Sequence, residues 1–544
     1  MSSSVDPFLV FVIVVITLVL LVVNLYVLVF FQHPDDKNTA FFPKVLVVVG
    51  LALSQACILL LPLDVGNKGG AVGCTNGWTS AAFCGGLDMA LLWHVVSMAI
   101  AVFVTILVPF AIFHYEADDG FGNRAERSWW VAVKQELLML LIVGLVLGIA
   151  FKYSAETAIP VQEFVIQGFV PLDGSDASTQ WNAGAVAQVG VSSTVNMQVT
   201  FATYVMAMMG FVGWFLFVTF GGIGMGALPM DLIRGFVYRP RKIPDKIYAD
   251  EKAHLQLTCT ELMKIGDALQ AEKQAFEEES HSRRERKQQQ KMDRVTLNKY
   301  KQMVYMLETK HKELRDLHDG SAKRNPLLPY VKLCVGVVCA LLTLLWDLQI
   351  ILFMMVDPPA DGFLNKYFIW FEDTLKFPLF GSMSVGIFSM YLLAAVAKGC
   401  FKFGLRCFCF AIHPMEVGAT MMNSFLFNLV LILLSTIPTV QFSVQAFSDY
   451  ARLTEVHNIF GAQIRYLKFF TWFYSTSFFV YTLFAMHVAA VLYLAKAPQD
   501  EACSTKDFKD LMQRYDGGKR RRGADEMGDE LSALQTGRGA RSVL

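Results

Sequence analysis

Three ionisable side chains interrupt long apolar stretches of this sequence, and they are the residues best suited to chemistry. They are Asp347, in LLWDLQI, and the single histidines His94 and His487. A carboxylate in the middle of a bilayer costs about 2.5 to 3.5 kcal/mol on insertion scales, so Asp347 should face other protein groups. It either lines a polar cavity or pairs with a neighbour, or it is a protonated acid bonded to backbone. The histidines are expected as satisfied core residues rather than a proton relay.

Other polar residues give weaker indications. Asn423 and Asn428, in MMNSFLFN, are candidates to line a cavity, although hydrogen bonds between helices, worth about 0.6 to 2 kcal/mol each, are the first expectation. His413 and Glu416 have the spacing of a metal pair, but two ligands beside a proline are too few, and no metal site is expected. Phosphate-loop, HExxH and nucleophile-elbow motifs are absent, so the sequence predicts neither an enzyme, nor catalytic residues, nor a cofactor.

Nine stretches are apolar and long enough to cross a bilayer, because about 20 apolar residues in a helix match a hydrocarbon core of about 30 Å. The chain is 54% hydrophobic and 17% charged, unlike a soluble domain. The predicted spans are Pro7–Phe31, Lys44–Leu63, Ala90–Phe113, Trp130–Phe151, Val199–Met225, Leu327–Val356, Pro378–Val396, Phe425–Phe442 and Phe469–Leu494. The sequence therefore predicts an all-α polytopic membrane protein with nine transmembrane helices, five in residues 1–230 and four in residues 326–496.

A charged insert, residues 231–325, separates the fifth span from the sixth. Leu255, Leu262, Leu269 and Phe276 recur every seven residues, and a second apolar stripe follows a charged turn. This pattern predicts a cytosolic, coiled-coil-like hairpin of two antiparallel helices. The hairpin either buries only itself or uses residues 249–318 to dock a cytosolic adaptor or a second copy of the chain.

Basic residues beside the spans predict an N-terminus that is outside or luminal and a C-terminus in the cytosol. The juxtamembrane cluster Arg239–Lys242 supports this orientation, whereas Arg465 and Lys468 in the last outer loop count against it. The polar residues 497–544 are predicted to be a disordered cytosolic tail. A formal net charge of zero argues against a nucleic-acid partner.

Five cysteines lie where modification is conceivable. Cys74 and Cys84 share a predicted outer loop, where an oxidising compartment allows either a disulfide or two free thiols. Cys400, Cys407 and Cys409 lie just inside the seventh span, where plain packing is favoured over reversible palmitoylation.

The fifth span is unusually rich in glycine at its inner end. Gly221, Gly222, Gly224 and Gly226 are followed by Pro229, so the helix either packs very closely on a neighbour or breaks there. Close packing is favoured. A broken helix at this depth would have to be covered by protein or line a cavity.

Several blocks of sequence resemble the LIMR, or limb-region-1-like, membrane protein family, in what looks like its plant and protist branch. In chain order the blocks are NLYVLVFFQHPDDKNTAFFPKVLVVVGL with LPLDVGN, PFAIFHYEAD, FGGIGMGALPMDLI followed by RP, DPPADGFLNKYF, GLRCFCFAIHPMEVGATMMNSFLFNLVLILL and AFSDYARLTEVHNIFG. The loop 153–198, much of the insert and the tail carry no such resemblance.

The resemblance implies nine spans with an extracellular N-terminus, and members that act as endocytic receptors for lipocalins or as an escort for cobalamin leaving lysosomes. We therefore expect a receptor or cargo-sorting protein at the plasma membrane or an endolysosomal membrane, with an unknown small-molecule or protein ligand on the outer side and lipids around it. The alternatives are a transporter or transporter escort for a small or lipidic molecule, and a signalling scaffold. Polar side chains converging on Asp347 from several helices would favour transport.

Overall fold

The structure is a computed structural model of the 544-residue chain. It describes residues 7–33, 36, 41–71, 88–117, 125–164, 190–237, 244–278, 327–356, 358–375, 378–402, 406–407, 410–411, 415, 417–418, 420–452 and 454–496, together with 300, 303–304, 307–308, 310–311, 314–315 and 318. The loop cysteines Cys74 and Cys84, the residue Cys409 and the predicted tail lie outside these residues.

Long apolar helices make up most of the described chain. The helices are α1 (Pro7–Phe31), α2 (Phe41–Ala71), α3 (Met89–Val102), α4 (Val108–Ala117), α5 (Ala125–Ser154), α6 (Phe201–Leu216), α7 (Gly222–Val237), α8 (Asp245–Glu278), α9 (Leu328–Gln349), α10 (Phe363–Leu375), α11 (Pro378–Lys402), α12 (Met422–Ala446), α13 (Glu455–His457), α14 (Thr471–Ser475) and α15 (Phe478–Ala495). Four π-helical segments continue them, at Phe103–Leu107, Phe217–Gly221, Ile350–Met354 and Asn458–Ile464.

Eight membrane-spanning segments are long and apolar enough among the described residues. They are Phe41–Gly66, Met89–Tyr115, Trp129–Ser154, Phe201–Val237, Leu328–Met354, Phe380–Lys402, Met422–Ala446 and Phe478–Ala495. The apolar helix α1 precedes them, with 25 residues that include the apolar stretch Val15–Phe31. The chain is therefore a polytopic helical membrane protein, as the sequence predicted, while the count of nine spans stays a prediction.

Helix α12 lies at the centre of the bundle. It is buried along almost its whole length, and it packs against α2, α6 and α11. Helix α5 is the opposite case, since most residues of its membrane-spanning part are exposed and only Ala132 and Glu136 are buried there. A helix that is apolar on every side can occupy either place, because lipid and a protein core are equally apolar surroundings.

A β-hairpin interrupts the helices, so the all-α prediction is wrong for the loop 153–198. Strand β1 (Glu156–Phe164) pairs antiparallel with β2 (Gly190–Gln198), and the register runs from Glu156 opposite Gln198 to Phe164 opposite Gly190. Thr157 also bridges to Leu467, which ties the strands to the segment before α14. We call this side of the bundle the hairpin end. A two-residue ladder, β3 (Arg406–Cys407) with β4 (Phe410–Ala411), follows α11.

A second compact unit comprises Asp231–Val337 and Lys496–Leu544, while Met1–Met230 and Val338–Ala495 form the first. In the second unit, early residues of α8 meet late residues of the 300–318 segment: Tyr248 stacks on His318 with ring centroids 4.0 Å apart, and Leu255 packs with Leu314. Further along α8, Gly266 lies beside the hydroxyl of Tyr300. This order is that of an antiparallel pair, and its cytosolic location stays a prediction.

Candidate functional site

Asp347 and His487 form an ion-pair-distance contact inside the bundle. The Asp347 Oδ2 atom lies 3.4 Å from His487 Nε2, and the side chain of His487 is 6% exposed while that of Asp347 is 23% exposed. Asp347 lies past the midpoint of the span Leu328–Met354, rather than near its middle, and His487 is midway along α15. The sequence indicated each residue alone and gave no reason to pair them.

The second ring nitrogen of His487 contacts a main-chain carbonyl oxygen. Nδ1 lies 3.2 Å from the carbonyl oxygen of Gly222, which can only accept a hydrogen bond. A proton on Nδ1 would complete a hydrogen bond to this oxygen, while Nε2 lies at ion-pair distance from Asp347 Oδ2. The imidazole thus connects α15 to both α7 and α9.

Glycines let the helices come close enough for this contact. A Cβ at Gly222 would lie 3.0 Å from the Cβ of Met486 and 3.1 Å from the Leu483 carbonyl oxygen, both on α15. A Cβ at Gly226, one turn later, would meet Val491 of the same helix at 3.0 Å. A side chain at either glycine would push α15 away, and with it the ring of His487.

The remaining glycines face a different helix. A Cβ at Gly224 would overlap the carbonyl oxygen of Ala395, and one at Gly221 would lie 3.4 Å from Val396, so both glycines face α11. Pro229 is buried within α7, and the chain stays helical from Phe201 to Val237. The glycine-rich stretch is therefore a closely packed helix between two neighbours and not a break.

More polar atoms lie one turn along α9 from Asp347. Thr343 is four residues earlier, hence on the same face of the helix. Its hydroxyl hydrogen-bonds with the Tyr391 hydroxyl of α11 and lies 3.3 Å from the Met225 carbonyl oxygen of α7. Polar groups of α7, α9, α11 and α15 thus converge within the bundle. We call Thr343, Asp347, Tyr391 and His487 the polar cluster.

One side of the polar cluster is open toward the exposed face of α9. Leu344, Leu348 and Ile351 are 54%, 39% and 40% exposed, and they share a helical stripe with Asp347. The Asp347 Oδ1 atom is buried and has no hydrogen-bond partner in the described structure. A buried acceptor without a donor is costly, so this oxygen is suited to receive a donor from a bound molecule or water.

Two π-helical segments flank the cluster. Phe217–Gly221 ends where Gly222 begins, and Ile350–Met354 follows Gln349 directly. Single π turns within α-helices are uncommon and occur frequently at functional sites. One segment precedes α7, which presents the Gly222 carbonyl oxygen to His487, and the other follows α9, which presents the Asp347 carboxylate. A π-helical segment therefore lies beside the contact in both chain regions.

The other predicted cavity residues lie elsewhere. His94 is at the hairpin end, with Nδ1 2.6 Å from the Ala90 carbonyl oxygen and Nε2 3.1 Å from the Thr203 hydroxyl, so both nitrogens are engaged. Asn428 is fully buried and donates within its own helix to the Ser424 carbonyl oxygen over 2.8 Å. Asn423 lies in the first turn of α12, at the opposite end of the bundle from β1 and β2.

Two buried aspartates were not predicted as site residues, although both belong to sequence blocks that resemble the LIMR family. Asp64 at the hairpin end accepts from the Trp93 indole over 2.9 Å and from the Val456 amide over 2.8 Å. Asp36, at the opposite end, accepts from the Tyr115 hydroxyl over 3.0 Å and from the amide of Met422, the first residue of α12, over 2.9 Å. Each carboxylate accepts hydrogen bonds from main-chain amides at the start of a helix that is distant from it in sequence.

Of the cysteines considered for modification, the structure describes the side chain of Cys400. The thiol of Cys400 is fully buried, so an acyl chain there would require α11 to unpack. Cys407 lies in β3, but its side chain is outside the described residues. Within the described residues, no three His, Cys, Asp or Glu side chains are grouped closely enough to hold a metal ion.

The fold and the polar cluster define a class: a polytopic helical membrane protein with titratable side chains in its bundle. Comparison with known proteins identifies the family within this class. Residues 9–326 and 322–495 match the model of the LMBR1-like membrane protein family. The chain belongs to this family. It is 32% identical over 529 residues to a LIMR family protein of Dictyostelium discoideum, covering 91% of this chain and 99% of that protein.

Plant relatives are similar to the chain to the same degree. A LIMR family protein of Oryza sativa subsp. japonica is 33% identical over 508 residues, covering 90% of this chain and 95% of the relative. One from Arabidopsis thaliana is 33% identical over 485 residues, covering 87% and 92%. No solved structure matches the chain.

Proposed function

We propose that this protein transports a lipidic molecule, whose polar part is received by the polar cluster. The observation that carries the proposal is the Asp347–His487 contact, in which a carboxyl group and an imidazole lie 3.4 Å apart within the bundle. A buried charged or titratable residue in a membrane helix is expensive and is usually found where a substrate, ion or proton path requires it. The sequence alone favoured a receptor, and the convergence of polar groups on Asp347 shifts the preference.

The exposed stripe on α9 supports a lipidic rather than a water-soluble cargo. Asp347 shares that stripe with exposed leucines, so a molecule reaching its carboxylate from this side would approach through the bilayer. The Asp347 side chain is 23% exposed, so a headgroup could approach it while the acyl chains stay in hydrocarbon. The proposal includes the predicted orientation, with the hairpin end outside or luminal and the α8 unit in the cytosol.

A receptor role is the second candidate, and the β-hairpin favours it. β1 and β2 form a nine-residue ladder, and Val195 and Met197 on β2 are 44% and 51% exposed. Two exposed apolar residues on one face of a strand are suited to contact a ligand. In this case Val195→Ser with Met197→Ser should abolish ligand uptake by cells and leave lipid movement unchanged.

The test is a lipid-movement assay. Purified full-length protein is reconstituted into phosphatidylcholine vesicles that contain a fluorescent phosphatidylcholine, and dithionite added outside reports how fast inner-leaflet probe becomes accessible. The wild-type chain should accelerate this movement relative to protein-free vesicles, whereas Asp347→Leu and His487→Leu should return it to the background rate.

Gly148→Leu is the matched control, since a side chain at Gly148 on α5 would meet nothing within 4 Å. This variant should move lipid as fast as the wild-type chain. Equal rates in the wild-type chain, Asp347→Leu and His487→Leu would refute a transport role for the pair. No acceleration by any correctly folded sample would leave the receptor as the better candidate.

A further inference from the structure

Two buried amide side chains converge on one carbonyl at the hairpin end. Gln349, the last residue of α9, donates from Nε2 to the Ala446 carbonyl oxygen over 2.8 Å, and Asn365 of α10 donates from Nδ2 to the same oxygen over 3.2 Å. The two residues are 0% and 1% exposed. Their own oxygens, Gln349 Oε1 and Asn365 Oδ1, have no hydrogen-bond partner in the described structure.

The surroundings are apolar, which makes two unpartnered oxygens expensive. Trp346 and Phe368 lie three residues from Gln349 and Asn365, and Phe447 follows Ala446. Their rings contact one another, with centroids 5.2 Å apart for Trp346 and Phe447 and for Phe368 and Phe447. A buried polar group without a partner destabilises the fold. A small ligand that accepts electron pairs from both oxygens would remove this cost.

The chemistry at this point favours a cation. Rotating an amide exchanges its nitrogen and its oxygen without moving a helix, and rotating both would bring the oxygens of Gln349, Asn365 and Ala446 to one place. Ala446 is the last residue of α12, where the helix dipole is negative. Asp449, three residues further, has its carboxylate beside Gly362 at the start of α10 and adds negative charge nearby.

We propose that Gln349, Asn365 and the Ala446 carbonyl bind a monovalent cation, with Na⁺ as the ion. Neutral oxygens and the C-terminal ends of helices are the groups that coordinate Na⁺ in membrane transporters. A divalent ion such as Ca²⁺ would normally require carboxylates among its ligands. The site lies apart from the polar cluster and does not depend on the transport proposal.

Thermal unfolding of the purified full-length protein in detergent tests the site. At constant ionic strength, replacing choline chloride with NaCl should raise Tm in a saturable manner by a few degrees, because an ion that binds only the folded state stabilises it. KCl should give a smaller rise. Gln349→Met and Asn365→Leu keep the side-chain size but remove an oxygen, and each should abolish the difference between NaCl and choline chloride.

Two further variants keep the test decisive if the apolar substitutions impair folding. Gln349→Glu adds a carboxylate and should lower the half-saturating Na⁺ concentration at least about tenfold. Asn24→Leu removes a different membrane amide, which is paired reciprocally with Gln55 over 2.9 Å, and should leave the Na⁺ response intact. Identical Tm values in all three salts, as for a site that holds only water, would overturn the proposal. A Na⁺ response that persists in both Gln349→Met and Asn365→Leu would overturn it as well.

Discussion

The carboxylate of Asp64 accepts a hydrogen bond from the indole nitrogen of Trp93 over 2.9 Å, and both residues are almost fully buried. The same oxygen accepts the amide of Val456 over 2.8 Å, while the other accepts the amide of Glu455 at 3.3 Å. Asp64 therefore joins α2, α3 and the start of α13 through a single side chain.

Replacing this carboxylate should destabilise the hairpin end. We expect Asp64→Leu to lower the free energy of unfolding by about 3 kcal/mol or more, because buried donors lose their acceptor. Trp93→Phe removes one donor and should cost less. Thermal unfolding in detergent measures both, with Asp361→Asn as the control, since the exposed Asp361–Lys366 pair should contribute at most about 1 kcal/mol. Equal Tm losses in Asp64→Leu and the control would contradict this account.

Gly224 should tolerate no side chain. A Cβ there would overlap the backbone of Ala395, which cannot move without displacing α11, so Gly224→Val should prevent a stable fold. Gly148→Val places the same side chain where nothing lies within 4 Å and should stay within about 0.5 kcal/mol of the wild-type chain. Fluorescence-detected size-exclusion chromatography of the two variants distinguishes them. A monodisperse Gly224→Val peak of normal height would show that the helices are not so close.

His457 should make the stability of the hairpin end depend on pH. Burial, and then the nearby charges of Arg465 and Arg452, lower the pKa of His457 below its usual range. The unfolded chain then binds a proton more readily than the folded chain, so this contribution is present above about pH 6.5 and is lost as the pH falls through the lowered pKa.

The measurement for His457 is Tm as a function of pH between neutral and mildly acidic conditions. The wild-type chain should lose stability on acidification, and His457→Gln should show a flatter profile over the same window. A steeper profile in His457→Gln would mean that the sign is wrong.

The packing of α8 predicts a difference between two leucines that are two residues apart. Leu255 is buried against Leu314, whereas Leu257 is 64% exposed. Leu255→Ala should destabilise this unit by about 2 kcal/mol or more, and Leu257→Ala should have almost no effect. Limited proteolysis of the full-length protein should cleave the α8 region faster only in Leu255→Ala. Similar cleavage of both variants would exclude the described packing.

The orientation can be tested with exposed positions on the two sides. An impermeant maleimide applied to intact cells should label Thr194→Cys in β2, if the chain reaches the plasma membrane, and should leave Leu257→Cys in α8 unlabelled until the cells are permeabilised. Both positions are exposed, so accessibility within the fold does not limit the reaction. The reverse pattern would invert the proposed topology.

The helical membrane architecture was predictable because apolar length alone determines which segments cross a bilayer. The strands β1 and β2 were not predicted as such, since Glu156–Phe164 includes a proline and shows only rough alternation. In the site, Asp347 was recognisable as a costly residue. Its partner His487 lies 140 positions away on another helix, and no periodicity in one sequence encodes which helices will be neighbours.

The same reason explains the amides and aspartates that were overlooked. Asp64 and Asp36 stand at the ends of apolar runs, where acidic residues are common and usually solvated. In the folded chain the amide of Val456 lies beside Asp64 and that of Met422 beside Asp36, so the carboxylates cap helices that are distant in sequence. The sequence singled out Gly224 and left both close packing and a helix break open, and the short distance to the Ala395 backbone shows close packing.

The wide turn at Phe217–Gly221 contains one residue more than an α-helical turn would need. If this segment were a regular α-helix instead, every later residue would be rotated by about 100° around the helix axis. The Gly222 carbonyl would then swing away from the imidazole, and Gly224 would no longer abut its neighbour. The π turn therefore sets the angle about the helix axis at which the Gly222 carbonyl oxygen meets His487.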